Sequence, residues 1–282
     1  MQIDKTTYND LSVFSQEEEF SVFHKINFTR TNGGKEWLRW MMKEPSGDIK
    51  KIKDTQTIIR LVITHLDHWP SVITNGTMTM IDRFYDSRID PIPSSKDFLS
   101  TRLYKTFHSS DYGLIRFSVT HFRDFISGLH QIAMIIDSPE APAKLQSFAS
   151  RIRSLLQHSQ LEEILQKKKG EKFSVKENLY FGFYFLAGFK SRYEELADIF
   201  YQLDAWYSMA TAVQNYQLTF PEFVESGEPY IKADKIFHIQ LREPVAYDIQ
   251  LSPSSNFLFL TGANMAGKST FIKSLGIAVY LA

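Results

Sequence analysis

The chain contains no cysteine. Disulfides and thiolate metal sites are therefore excluded, and the composition suits a reducing compartment, so a cytoplasmic location is the expectation. Net charge is absent as well, with 32 Lys+Arg against 32 Asp+Glu. Nucleic-acid binding through bulk positive charge is not indicated, which leaves only a local basic face for that role. Long hydrophobic runs are missing. The longest, Leu179 to Phe189 (LYFGFYFLAGF), falls well short of the about 20 apolar residues that a membrane-spanning helix needs, and it reads as a buried helix. The opening MQIDKTTYND is polar and has no signal-peptide character. No membrane partner is expected. G-x-S-x-G, H-E-x-x-H and an acidic dyad are all absent, so the common hydrolase and zinc-protease chemistries lack their residues. There is no internal repeat. His65 and His68 are spaced i, i+3, but with no carboxylate cluster beyond Asp67 they read as a helix-end pair rather than a metal site. His121 lies on an apolar stripe and reads as a hydrogen-bonded core histidine.

What is present is enough for about two domains: 282 residues, 43% of them apolar. Most of the chain carries helical periodicity. Thr31 or Asn32 can cap a helix over Asn32 to Lys43, with Trp37, Leu38, Met41 and Met42 on one face and Pro45 as its stop. A second helix is predicted from Asp48 to His68 on the stripe Ile52, Ile59, Val62, Ile63 and Leu66. Ser71 to Ser100 holds Pro91, Pro93 and several serines and reads in part as loop. Leu114, Phe117, His121, Phe125, Leu129, Ile132 and Ile136 predict a long helix over Asp111 to Asp137. Leu145, Phe148, Ile152, Leu155 and Leu156 predict another over Ala143 to Gln166. QKKKGEK (Gln166 to Lys172) is a charged hairpin tip, with Lys167 to Lys169 solvated. The longest predicted helix, Lys176 to Gln217, should return antiparallel to Ala143–Gln166, because so short a turn leaves little other geometry. Its buried face includes Phe181, Phe185, Ile199, Leu203 and Trp206. After Pro221 the texture changes to short strands near Tyr230-Ile231 and Ile236 to Leu241. The expected class is mainly α, as a helical domain over 1–229 followed over 230–282 by the truncated start of an α/β domain.

That last stretch carries the chemistry. NFLFLTGANMAGKSTFIKSLGIAVYLA (Asn256 to Ala282) reads as an apolar strand (Phe257 to Leu260), a glycine-bounded turn and a helix. Gly262, Gly267, Lys268 and Ser269 match G-x-x-x-x-G-K-[ST], the phosphate-binding loop. By average residue usage the bare pattern arises by chance in roughly one chain of this length in a hundred. The glycines permit the turn and the close backbone approach. The inward N–H groups form a nest for phosphate oxygens, and the helix N-terminus adds positive charge. Lys268 is expected to reach the β- and γ-phosphates of ATP, and Ser269 to offer its hydroxyl to Mg²⁺. The site is therefore expected to be built from Gly262, Ala263, Asn264, Met265, Ala266, Gly267, Lys268, Ser269 and Thr270. The 282 residues supply no recognisable Walker-B carboxylate or water-positioning base, so useful hydrolysis by this chain alone is not expected.

The loop as a whole, TGANMAGKST (Thr261 to Thr270), resembles the MutS family of mismatch-repair ATPases, whose loops typically read TGPNMGGKST. Thr29 to Ile59 (TRTNGGKEWLRWMMKEPSGDIKKIKDTQTII) is similar to the opening of that family's core domain, and Asp4 to Leu11 to its lead-in. Leu203 to Gly227 (LDAWYSMATAVQNYQLTFPEFVESG) resembles the helix that re-enters the ATPase domain. The matches follow the family's order along nearly the whole chain. The resemblance implies a helical core and lever that couples nucleotide state to DNA, the opening of a dimerising ABC-type ATPase, a second MutS-like subunit as partner, and a role for Asn264 in shaping the loop. Ala263 stands where the family has Pro and Ala266 where it has Gly. In PVAYDIQL (Pro244 to Leu251), Pro244 replaces an aromatic and Tyr247 an Asn. No mismatch-recognition domain with its Phe-x-Glu wedge is found, and the hairpin at Gln166 to Lys176 is too short for a DNA clamp. DNA binding, if any, is therefore expected to be weak and non-specific. Two other readings remain open: a helical interaction scaffold with an incomplete, inert loop, and an unrelated P-loop NTPase.

Overall fold

The computed structural model describes residues 5–93, 97–167, 170–224 and 227–282. Helix accounts for 63% of the described residues, which gives the mainly α class directly. In order, the α-helices are α1 (Lys5–Asp10), α2 (Val22–Ile26), α3 (Asn32–Lys43), α4 (Ile49–Thr64), α5 (Asn75–Asp86), α6 (Phe98–Phe107), α7 (Ser109–Ile136), α8 (Ala143–Leu156), α9 (Ser159–Gln166), α10 (Val175–Gly188), α11 (Lys190–Tyr216) and α12 (Lys268–Leu281). Strands β1 (Ile231–Ile236) and β2 (Tyr247–Leu251) lie between α11 and α12. No helix among the described residues is long and apolar enough to cross a membrane.

The chain divides into two compact units. One comprises residues 29–37 and 57–207 and is a helical bundle built on α7. Helices α5, α6, α8, α9 and α10 all pack against α7. Its buried face is Tyr112, Ile115, Val119, Phe122, Phe125, Ile126, Leu129, Ile132 and Ile136. The predicted stripe is therefore right from Phe125 onward and out of phase before it. Phe117 is 56% exposed, while Ile115, Val119 and Phe122 are fully buried. The N-terminal half of α7 is apolar on more than one side, so neighbours and not periodicity choose the buried side. His121 is only half-buried, and its Nδ1 is buried without a hydrogen-bond partner. Burial lowers its pKa, against a smaller opposing effect of Asp124.

Two helices predicted as single pieces are broken. The first bends at Gln157-His158, separating α8 from α9; the extended backbone of His158 turns its ring onto Tyr184 at 5.1 Å. The second breaks at Phe189, after Gly188, where poor helix propensity lets the chain turn and bury Phe189 against Phe185 and Phe122. The antiparallel return itself is as expected. Lys144 and Phe148 of α8 meet Trp206 of α11, Arg151 pairs bidentately with Glu195, and His158 meets Tyr184 of α10. Phe181, Phe185, Ile199, Leu203 and Trp206 are all buried. Helix α5 arises within the stretch read partly as loop. Its Asn, Gly and Thr residues are poor helix formers, but a capping box between Thr74 and Thr77 starts it and burial of Met78, Ile81 and Phe84 holds it.

The hairpin tip departs from a simple solvated turn. The Lys167 side chain is 22% exposed and its ammonium bridges Glu171 (3.0 Å) and Glu177 (2.7 Å); Lys168 and Lys169 lie outside the described residues. Glu177 also closes a capping box at the start of α10 by accepting from the Ser174 amide. Burial works against its charge, yet the hydrogen bonds from Lys167 and Ser174 and the Lys167 charge hold its pKa down at about 2. A depressed carboxylate stabilises the fold above its ordinary pKa and loses that contribution as pH falls toward the folded-state value. The melting-temperature difference between the wild type and Glu177→Gln is therefore expected to be constant above about pH 4.5 and to vanish as pH approaches 2. A difference that persists unchanged at pH 2 would show that the carboxylate charge contributes nothing to the turn.

The other unit comprises residues 1–28, 38–56 and 208–282. Here β1 and β2 form a two-stranded antiparallel sheet, pairing Ile231 with Leu251 and Ala233 with Ile249 and bulging between Ala233 and Ile236. The second predicted strand, Ile236 to Leu241, is not formed beyond Ile236; its successor is β2. The bulge places Lys235 at φ 55°, with its amide bonded to Asp248. Ser252 and Ser255 close the turn after β2. Helix α12 buries Ser274, Ile277 and Tyr280 at i, i+3, i+6. The Tyr280 hydroxyl donates to the Met42 carbonyl and its ring meets Tyr8 edge-on, while Leu11 fits against Gly276. Ser208 receives the Phe28 amide and donates to the Ile26 carbonyl, tying the end of α2 to α11.

Candidate phosphate-binding site

Residues 256–267 leave β2 and enter α12. Gly267 stands at its N-cap with φ 86°, and no heavy atom lies within 4 Å of where its Cβ would be. The constraint on this position is thus conformational: a side chain would strain the backbone without filling any space. Gly262 has φ 157° and Met265 φ 65°, with the Ala266 amide closing a turn onto the Ala263 carbonyl at 3.2 Å. The loop is exposed from Thr261 through Gly267. The four first-turn amides of a helix have no intrahelical acceptor, so the opening of α12 presents donors and the positive end of the dipole.

Lys268 folds back over this loop. Its ammonium donates to the carbonyls of Gly262 (2.6 Å) and Ala263 (2.7 Å), which holds a positive charge at the loop mouth. Ser269 is exposed, and its hydroxyl bonds no described residue; the Asn264 side chain is likewise exposed and bonds none. Thr270 is half-buried, and its carbonyl accepts from Ser274. Glycines in turn geometry, a lysine held over the loop and a serine hydroxyl open to solvent form a donor set that suits a polyphosphate with its Mg²⁺.

Behind the loop the structure shows what sequence reading missed. Tyr247 of β2 stacks on Phe271 of α12 at 4.3 Å, and its hydroxyl donates to the Phe271 carbonyl at 2.8 Å. The two residues are 24 apart in sequence, and nothing in their local pattern announces the pairing. His238 is buried beside α12; burial first and Lys273 second lower its pKa.

The expected apolar strand before the loop is not formed. Phe257 to Leu260 belong to no regular element, with Phe257 80% and Phe259 78% exposed. A strand that is apolar on both faces is stable only between neighbours that pair its backbone and cover both sides, and no such neighbours occur among the described residues. The residues of this loop therefore stand on α12 and the β2 contact, with no parallel sheet behind them among the described residues.

No protein-family model matches the chain. The DNA mismatch repair protein MutS of Pseudothermotoga lettingae is 30% identical over 90 residues, 31% of this chain and 11% of that protein. Those of Lysinibacillus sphaericus (30% over 105 residues, 34% and 12%) and Leuconostoc mesenteroides (33% over 97 residues, 32% and 11%) agree. A segment of this chain is MutS-related. That segment is about a third of this chain and corresponds to roughly a tenth of the length of the curated relatives it matches.

Proposed function

We propose that this chain is a MutS-like ATPase core. Residues 1–229 form the helical core and lever, and 230–282 open a P-loop domain that binds ATP with Mg²⁺ through Gly262 to Thr270. The observation that carries the reading is Lys268, held over the Gly262 and Ala263 carbonyls at the start of α12. In this reading the ammonium exchanges those carbonyls for the β- and γ-phosphates, the loop amides take the remaining phosphate oxygens, and Ser269 contributes to the metal. Asn264 shapes the loop, and Ala263 and Ala266 are small enough to let a phosphate approach. The MutS-related segment supports a relation to DNA repair. A second MutS-like subunit, weak non-specific contact with DNA and a cytoplasmic location belong to the same proposal.

The competing reading is a helical interaction scaffold with an inert loop. The exposed Phe257 to Leu260 favours it, because an unbraced loop spends binding energy on becoming ordered. Titration of a fluorescent ATP analogue with Mg²⁺ separates the two. Nucleotide binding is expected to weaken at least about tenfold in Lys268→Ala, as for loss of a charge-assisted contact, and to lose its Mg²⁺ dependence in Ser269→Ala. Equal affinity in the wild type and Lys268→Ala would favour the scaffold. In a turnover assay the chain by itself is expected to hydrolyse ATP poorly.

A further inference from the structure

Away from the P-loop, three side chains with metal-ligating chemistry converge in the unit built on α7. Asp90 lies in the connector between α5 and α6, His108 in the turn between α6 and α7, and Asp111 in the first turn of α7. One ligand atom from each, all three taken together, lie within 4.8 Å of one another. His108 Nδ1 is 2.9 Å from an Asp90 carboxylate oxygen, and an Asp111 oxygen accepts from the Asp90 amide at 3.0 Å. The imidazole plane is set from behind by Tyr104, stacked at 4.7 Å, whose hydroxyl donates to the Asp90 carbonyl at 3.0 Å. The donor atoms thus come from two backbone segments, the connector that carries Asp90 and the α6–α7 elbow that carries His108 and Asp111, with His108 stacked on Tyr104 and Asp111 tied to the Asp90 amide.

Two carboxylates face one imidazole, and among the described residues no lysine or arginine lies within 4.0 Å of either carboxylate. His108 pairs with Asp90, while Asp111 lies in the first turn of α7, where the helix dipole favours an acid, and accepts the Asp90 amide. A divalent cation would neutralise both.

We propose that Asp90, His108 and Asp111 form a binding site for a divalent transition-metal cation of the zinc type. One imidazole nitrogen with two carboxylate oxygens is a borderline donor set, suited to Zn²⁺ and not to an all-oxygen cation such as Ca²⁺. Small side-chain rotations from this spacing would let one ion sit about 2.0–2.2 Å from all three donors, with water completing the tetrahedron on the exposed side. The metal clips the connector before α6 to the α6–α7 elbow. It is a brace, distant in role from nucleotide chemistry.

The test is calorimetric titration of Zn²⁺ into the full chain, with Co²⁺ absorption to report coordination and circular dichroism to verify folding. One equivalent is expected to bind. Affinity should fall at least about tenfold in His108→Ala and in Asp111→Asn, and remain unchanged in His68→Ala, which removes a helix-end histidine outside the cluster. The Co²⁺ complex of the wild type should show the intense visible bands of four-coordination, absent in Asp111→Asn. Absence of binding, or binding that survives Asp111→Asn and His108→Ala in folded protein, overturns the proposal and leaves the cluster as a hydrogen-bonded elbow.

Discussion

Replacing Asp204 with alanine is expected to destabilise the unit of residues 29–37 and 57–207 by about 3–5 kcal/mol, because three hydrogen-bond donors lose their shared carboxylate. Asp204 is 1% exposed on α11. Its carboxylate accepts from the Arg30 amide (3.0 and 3.1 Å), the Thr31 amide (2.9 Å) and the Thr31 hydroxyl (2.7 Å). Thr31 in turn caps α3 by accepting from the Gly34 amide. One acid therefore organises the entry to a helix more than 170 positions away in sequence. Burial pushes the Asp204 carboxyl above its usual range, and the donors from Arg30 and Thr31 hold that rise in check. Alanine leaves the part-buried Arg30 amide and the buried Thr31 amide and hydroxyl without their acceptor, at a cost of about 1–3 kcal/mol for each buried donor. Arg30 keeps its other partners, the Pro70 carbonyl and the Tyr207 hydroxyl and ring, so the loss is local to the cap. Urea denaturation should show a lower midpoint at unchanged slope. A loss below about 1 kcal/mol would mean that water replaces the carboxylate, and would remove Asp204 as the organiser of α3.

Phe122→Ala should cost a similar amount, about 3–5 kcal/mol, as a large-to-small change in a core that cannot fully collapse. Phe122 is fully buried, stacked on Phe185 at 3.9 Å and edge-on to Phe84, Tyr85, Phe189 and Tyr193. It is thus where α5, α7, α10 and α11 meet. Phe117→Ala, five positions earlier on the same helix, is the matched control. At 56% exposure its removal should change stability by no more than about 0.5 kcal/mol. The pair of variants decides which side of α7 is the core, the point on which helical periodicity misleads. Comparable losses from both would show that Phe117 is covered in solution.

The amino-acid sequence by itself determined the helical class, the reach of α3, the start of α4 (which ends at Thr64 and not at the expected His68, where a separate 3-10 turn follows) and the antiparallel return of α11 along α8. These follow from apolar spacing, capping residues and short connections, all of which act over a few residues. It also determined the G-x-x-x-x-G-K-S loop, because turn geometry and a helix start are local demands written in glycine, lysine and serine. Where apolar residues surround a helix, as in the first half of α7, local pattern permits two answers, and tertiary packing chose Ile115 and Phe122 over Leu114 and Phe117. The breaks at His158 and Phe189 were likewise decided by what each ring could bury. Asp204 under α3, Tyr247 on Phe271 and the Asp90, His108 and Asp111 cluster join residues from different elements. Phe257 to Leu260 shows the same limit from the other side: strand propensity is local, but a strand exists only when neighbours pair its backbone, and that condition is tertiary.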